Sequence, residues 1–316
     1  MLLYSAALIA GLILLVLSSD KFIEHAALVA EKLNVSPIII GVTLVALGTS
    51  APEMVVSAIA ALDNAPGIAI GNVLGSNIAN IGLVFGATLV LAAVPISGSL
   101  IKREIPLVLG ITVLAGVLMA DQALSILDGI LLIAGFLVVL FVLLRNSKNM
   151  ASELTEDLPE DDGGSVTRSI IIAVLGLAVL IGSSKLLVWG AVGIASALGV
   201  SDLVIGLTIV AIGTSLPELA ASITSVRKGH HDIAIGNVLG SNIFNLATVL
   251  PLPALLAPSA IEATIMGRDF WWMFGFTALF ALAVVGFAKT RKASIPRWFA
   301  VPLLGLYTGY LYLLAM

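Results

Sequence analysis

Apolar runs long enough to cross a bilayer recur along almost the whole chain, and no other feature limits its fold so severely. A helix that spans ~30 Å of hydrocarbon needs about 20 residues. Such runs lie near residues 2–18, 36–61, 68–95, 105–120, 123–144, 169–196, 201–226, 233–257, 270–288 and 298–315, separated by short polar breaks. A barrel strand would show short alternating segments, whereas stretches such as Ile130 to Leu144 are apolar on every face, so the spans read as helices. With 59% hydrophobic and 11% charged residues, the chain also lacks the polar surface that a water-soluble globule requires. The first run has no basic n-region before it and is expected to remain as a span, not to be removed as a signal peptide.

One long polar stretch interrupts the pattern, from Arg145 to Arg168. It contains Glu153, Glu156, Asp157, Glu160, Asp161 and Asp162 and then Gly163-Gly164, and it reads as a solvated linker without the ligand periodicity of an EF-hand. The expected organisation is a five-helix repeat over residues 1–144, the acidic linker over 145–168, and a second five-helix repeat over 169–316. The net charge of −4 comes largely from this linker and carries no case for nucleic acid. No cysteine is present, which excludes disulfides and thiolate metal sites and leaves oxygen to bind any metal.

Basic residues set the expected orientation. Lys21 and Lys32, Lys102 and Arg103, Arg145, Lys148 and Arg168, Arg227 and Lys228, and Lys289, Arg291, Lys292 and Arg297 fall in alternate breaks, with Arg268 the exception and Lys185 inside a span. Cytoplasmic loops retain such residues, so both termini are expected outside and the linker in the cytoplasm. Trp271, Trp272, Trp298 and Tyr307 near span ends are expected to anchor at the membrane interfaces.

The chain then repeats itself. Gly41-Val-Thr-Leu-Val-Ala-Leu-Gly-Thr-Ser-Ala-Pro-Glu53 returns as Gly206-Leu-Thr-Ile-Val-Ala-Ile-Gly-Thr-Ser-Leu-Pro-Glu218. In the same register, Ala69-Ile-Gly-Asn-Val-Leu-Gly-Ser-Asn-Ile-Ala-Asn80 returns as Ala234-Ile-Gly-Asn-Val-Leu-Gly-Ser-Asn-Ile-Phe-Asn245, and Ser18-Ser19 as Ser183-Ser184. Five spans, an odd number, separate each residue from its mate, so the copies must lie in the bilayer with opposite polarity. Glu53 sits about a dozen residues into its span, roughly 18 Å along the helix, and Glu218 reaches the same depth from the other side. One midplane site is implied. By the same inversion, Asp20 and Lys185 are placed toward opposite faces and are not expected to pair.

An ionised carboxylate at that depth costs at least ~3 kcal/mol, which calls for compensation. Its neighbours can supply it. Pro52 and Pro217 lack an N–H, so the carbonyls of Gly48 and Gly213 are expected to be freed as ligands. Thr49, Ser50, Thr214 and Ser215 add hydroxyl oxygens, and Ser76, Asn80, Ser241 and Asn245 add more from the partner helix of each repeat. These are hard ligands suited to Ca²⁺, which takes six to eight oxygens with loose geometry, whereas Mg²⁺ resists dehydration. Two carboxylates neutralise one Ca²⁺, and an emptied site would leave two unpaired charges in low dielectric, which favours exchange over uniport.

At these motifs the chain resembles the cation/calcium antiporter family, whose two repeats carry Gly-Thr-Ser-x-Pro-Glu and Gly-Ser-Asn-x-x-Asn signatures. The resemblance extends over both repeats and, through span number, linker position and orientation, over essentially the whole chain. It implies an all-α integral membrane protein of ten transmembrane helices in two inverted five-helix repeats, in which helices 2, 3, 7 and 8 form a core and helices 1 and 6 slide across it. It implies Ca²⁺ held by Glu53 and Glu218 with the carbonyls of Thr49 and Thr214. It further implies Na⁺ sharing those carboxylates with the carbonyls of Ala46 and Ala211 and with Ser50, Ser76, Ser215, Ser241 and Asn80. Asn245 stands where potassium-dependent relatives and some prokaryotic ones carry Asp, which speaks against potassium coupling. At three sodium ions per calcium, one net charge would move per cycle, and each 100 mV would contribute about 2.3 kcal/mol.

The expected protein is therefore a prokaryotic-type sodium/calcium exchanger of the inner membrane, with Ca²⁺ and Na⁺ as substrates and the lipid bilayer as its surroundings, without cofactor or obligatory protein partner. A proton/calcium antiporter of the same fold is the nearest alternative, and a cation channel the alternative of another class. A membrane enzyme has no P-loop, metal-binding His cluster or Ser/His arrangement to support it: His25, His230 and His231 map to span ends or loops.

Overall fold

The computed structural model describes residues 1–33, 35–145, 165–199, 211–291 and 293–315. Most of the acidic linker, residues 146–164, and Lys292 therefore lie outside the described residues.

Among the described residues the spans are helices. In chain order they are α1 (Leu2–Lys32), the pair α2 (Pro37–Thr49) and α3 (Ala51–Leu62), α4 (Pro66–Leu91), α5 (Ile105–Leu118) and α6 (Ile126–Arg145) in the first half. The second half comprises α7 (Val166–Ala197), α8 (Ala211–Thr214), α9 (Leu216–Arg227), α10 (His231–Leu256), α11 (Ile265–Ala288) and α12 (Ala300–Ala315). Proline at the first helical turn starts α2, α3, α4 and α9, where its missing N–H costs nothing. The helical axis bends by 44° between α2 and α3 at Ser50. This break splits one span into two halves.

Residues 2–18 were expected to end the first span, but α1 continues through Ser18, Ser19, Asp20 and Lys21 to Lys32. At 1.5 Å per residue its 31 residues reach about 46 Å, more than the hydrocarbon thickness. Packing against other helices compensates the polar segment: Ser19 Oγ donates to the Ala220 carbonyl at 2.9 Å and lies in hydrogen-bond contact with Thr224 Oγ1 at 2.7 Å, and Lys228 pairs with Asp20 at 3.2 Å. Asp20 thus finds Lys228, not Lys185.

α1 and α7 lie side by side, and glycine allows their close approach. A Cβ on Gly11 would fall 2.8 Å from the backbone N of Leu187, and one on Gly176 3.1 Å from that of Phe22. Both the glycines and their partners are repeat mates, so the contact is symmetric about a pseudo-twofold axis. α10 and α4 are the most enclosed helices, with 94% and 78% of their apolar window buried, against 28% for α1 and α7. The repeat helices therefore form the interior, while Leu12, Ile13, Val16, Ile171, Val174 and Leu175 on α1 and α7 present an outer apolar face suited to lipid.

Two short antiparallel clasps join the loops. Val94–Pro95 pairs with Ser294–Ile295, and Ala123–Leu124 with Ser259–Ala260. Arg297 reinforces the first by donating to the Val90 carbonyl from Nη2 at 2.6 Å and from Nε at 2.9 Å. Trp271 and Trp298 are exposed, as interfacial anchors would be, but Tyr307 is buried against Gly82 and serves packing instead.

Candidate cation site

Glu53 and Glu218 occupy the first turns of α3 and α9, where unpaired backbone N–H groups give the helix end a partial positive charge that favours a carboxylate. Each is 1% exposed. Ser50 and Ser215 stand at the N-cap positions, yet neither side chain caps its helix. Ser50 Oγ instead reaches across the repeats to Glu218 Oε1, at 3.4 Å. That bond brings the break of the first repeat against the carboxylate of the second, and Glu218 lies within electrostatic range of Glu53.

The oxygens around this point lack hydrogen-bond donors. Glu53 Oε2, Glu218 Oε2, Ser215 Oγ, Asn80 Oδ1 and Asn245 Oδ1 are all buried without a partner among the described residues. Buried polar atoms are normally satisfied, and leaving one unpaired costs about 1–3 kcal/mol. These five atoms come from repeat-related positions, and each is an oxygen of the kind a dehydrated cation takes as ligand.

Thr49 is fully buried; its hydroxyl donates to Asn237 Oδ1 at 3.1 Å and lies 3.5 Å from Ser241 Oγ. The Ala46 carbonyl accepts the Ser50 N–H at 3.0 Å and is 3.4 Å from Thr49 Oγ1. Ser76 is buried on α4 and lines a cavity of about 380 Å³ together with Asn72, Thr214, Asp269 and Tyr310. Ala211 begins α8. Asn80 and Asn245 each open a π-helical turn, Asn80–Phe85 in α4 and Asn245–Val249 in α10; such wide turns recur at functional sites because they redirect side chains from the regular helix. Among the described residues no group of three or more His, Asp or Glu side chains gathers, so most ligands available beside the two carboxylates are neutral oxygens.

The Gly213 carbonyl, whose helical donor Pro217 removes, accepts from Ser184 Oγ at 3.0 Å and keeps its second lone pair. A neighbouring helix with a serine at the right height supplies the donor, because a buried acceptor seeks any donor within reach.

The two halves of the site are also unequal. Thr214 is half-buried and lines both the cavity beside Ser76 and a second cavity of about 350 Å³ bounded by Pro52, Ser184, Lys185, Val188 and Trp189. Thr49, its mate, is sealed. The described cavities therefore border the Thr214 side and not the Thr49 side.

Comparison with known proteins decides the family. The sequence family described as sodium/calcium exchanger protein matches residues 3–145 and 168–316. The chain belongs to the sodium/calcium exchanger family. CaxA of Alkalimonas amylolytica is 45% identical over 318 residues, covering 99% of each chain. The inner membrane protein YrbG of Escherichia coli K12 is 40% identical over 294 residues, covering 89% of each. Among solved structures, the sodium-calcium exchanger NCX_Mj, soaked with Na⁺ and Ca²⁺, superposes with a TM-score of 0.83 at 34% identity over 98% of this chain and 97% of that one. The exchanger is thus an all-α membrane protein of ten helices in inverted repeats, within a family of cation/calcium antiporters.

Sequence reasoning missed a supporting set in the exchanger. Asn72 Nδ2 donates to the Glu53 carbonyl at 3.3 Å and to Ser57 Oγ at 3.0 Å; its mate Asn237 donates to the Glu218 carbonyl at 3.2 Å and to Ser222 Oγ at 2.9 Å. Asn77 and Asn242 bridge α4 and α10. The available signal was the repeat register, which all six side chains obey.

Proposed function

We propose that the protein exchanges sodium for calcium across the cell's inner membrane by alternating access to one midplane site, with Glu53 and Glu218 as its charged ligands. Thr49, Thr214, Ser50, Ser215, Ser76, Ser241, Asn80, Asn245 and the carbonyls of Ala46 and Ala211 complete the set. The observation that carries this reading is the buried group of unpartnered oxygens drawn from both repeats, headed by Glu53 Oε2 and Glu218 Oε2. A Ca²⁺ or a small number of Na⁺ ions would supply the missing positive charge, and the emptied site would hold two buried carboxylates at high cost. Exchange follows because the site changes sides readily only when loaded. NCX_Mj, described as a sodium-calcium exchanger, and the family to which the chain belongs support sodium as the counter-ion.

The basic residues of alternate loops favour termini outside and the acidic linker in the cytoplasm. Proteoliposomes test the coupling. Calcium uptake should follow an imposed sodium gradient; uptake driven equally well by a pH gradient without sodium would replace sodium by protons in this reading.

A further inference from the structure

The ligand amides of Asn80 and Asn245 can each present either an oxygen or an NH₂ group to a cation, and only the oxygen attracts it. What holds the oxygen in place is a closed set of hydrogen bonds at the pseudo-twofold axis. A backbone carbonyl only accepts, so Asn77 must turn Nδ2 toward the Asn242 carbonyl, 3.2 Å away. Its Oδ1 is then left to face Asn245, which can answer only with Nδ2, at 3.0 Å. Asn245 Oδ1 is thereby directed away, buried and without a partner. The mirror chain starts from the Asn77 carbonyl, which accepts from Asn242 Nδ2 at 3.4 Å; Asn242 Oδ1 accepts from Asn80 Nδ2 at 3.1 Å, and Asn80 Oδ1 is left unpartnered. All four side chains are at most 1% exposed, so water offers no competing orientation.

We propose that Asn77 and Asn242 are positioning residues wired across the repeats: Asn77 of the first repeat orients the ligand amide of Asn245 in the second, and Asn242 orients that of Asn80. The wiring runs between halves of the molecule and not along the helix, although Asn77 lies one turn from Asn80. Loss of Asn77 frees the Asn245 amide to rotate and turn its N–H groups toward the cation. The same change leaves Asn80 held by Asn242 Oδ1. The carboxylates of Glu53 and Glu218 are untouched, so the effect falls on the ion that depends on the amides. This inference rests on the ligand set proposed above, and takes the ion to be sodium, which the family resemblance gives to Asn80, the repeat mate of Asn245.

The experiment is a set of double-mutant cycles on the full chain in proteoliposomes, reading half-saturating sodium for calcium exchange, half-saturating calcium in calcium–calcium exchange, and melting temperature. Asn77→Ala and Asn245→Ala are each expected to raise half-saturating sodium by about tenfold, with calcium–calcium exchange of Asn77→Ala changed less than about twofold. The pair Asn77→Ala/Asn245→Ala should be no worse than either single change, whereas Asn77→Ala/Asn80→Ala should multiply the two effects. Asn242→Ala should show the converse, coupling to Asn80 and not to Asn245. If the alanine variant does not fold, Asn77→Ser keeps a donor near the Asn242 carbonyl while shortening the acceptor, and the same pattern is expected of it. Multiplying effects for Asn77 with Asn245, or an equal loss for both ions together with a lowered melting temperature, would overturn the proposal while leaving the ligands in place. Unchanged sodium dependence in both Asn80→Ala and Asn245→Ala would instead remove the ligand assignment itself.

Discussion

Gly236 and Gly71 occupy the same position of the two repeats, yet the protein uses them differently, and this yields a quantitative contrast. A Cβ on Gly236 would lie 2.5 Å from the Ile38 carbonyl oxygen and 2.9 Å from the Gly41 Cα, so α10 and α2 touch backbone to backbone. Restoring an ordinary contact of 3.4 Å would force the helices apart locally by about 0.9 Å, and close-packed interiors absorb such a change poorly. The next residue, Asn237, accepts the Thr49 hydroxyl at 3.1 Å, and half of that displacement carries the pair beyond bonding distance. Gly236→Ala should therefore cost ~1–3 kcal/mol for overpacking and about 1 kcal/mol more for the lost bond. A Cβ on Gly71 meets nothing within 4 Å among the described residues, and Gly71 lines the open cavity beside Ser76. Melting of the purified variants, followed by tryptophan fluorescence, should show Gly236→Ala lowered by several degrees and Gly71→Ala within about a degree of the parent protein. Equal melting temperatures, or a greater loss for Gly71→Ala, would refute the inequality of the two helix contacts.

Other substitutions address the site directly. Glu53→Gln or Glu218→Gln should lower calcium exchange by more than about a hundredfold while the protein remains in the membrane fraction, since each removes one of two charges facing a divalent ion; near-normal uptake by either variant would remove its ligand role. Asn245→Asp should make exchange more sensitive to pH. A carboxylate there would set oxygen against Asn77 Oδ1 unless it held a proton, so transport measured across a pH series should diverge from that of the parent. Ser184→Ala exposes the Gly213 carbonyl freed by Pro217 and should destabilise the protein by ~1–3 kcal/mol, measured as a fall in melting temperature, without altering the calcium dependence of Glu53 and Glu218.

Much of the candidate site could be nominated from sequence because the bilayer makes polar residues conspicuous. Glu53 and Glu218 stood out as carboxylates deep in apolar sequence, and the repeat drew Ser76, Asn80, Ser241 and Asn245 to them. The serines and asparagines that support the site were not separable by type: Asn77 and Asn80 look alike in the motif, and only the carbonyl that each faces gives one a positioning geometry and leaves the other with an open oxygen. Ser184 likewise could be matched to Ser19 by register, but nothing local indicated that it meets the Gly213 carbonyl while Ser19 meets Ala220 and Thr224. The end of α1 was misjudged for a related reason, since a polar stretch ends a span only when no neighbouring helix satisfies it.

By itself the sequence determined the helical spans and their inversion, and singled out one carboxylate at the like position of each repeat. Apolar length leaves helices as the form that satisfies the backbone, and an odd number of crossings between like motifs reverses their direction. It could not determine which half closes, because near-identical motifs favour both arrangements almost equally. Tertiary packing made that choice, seating Gly236 on α2 and sealing Thr49 while leaving Gly71 and Thr214 on open cavities.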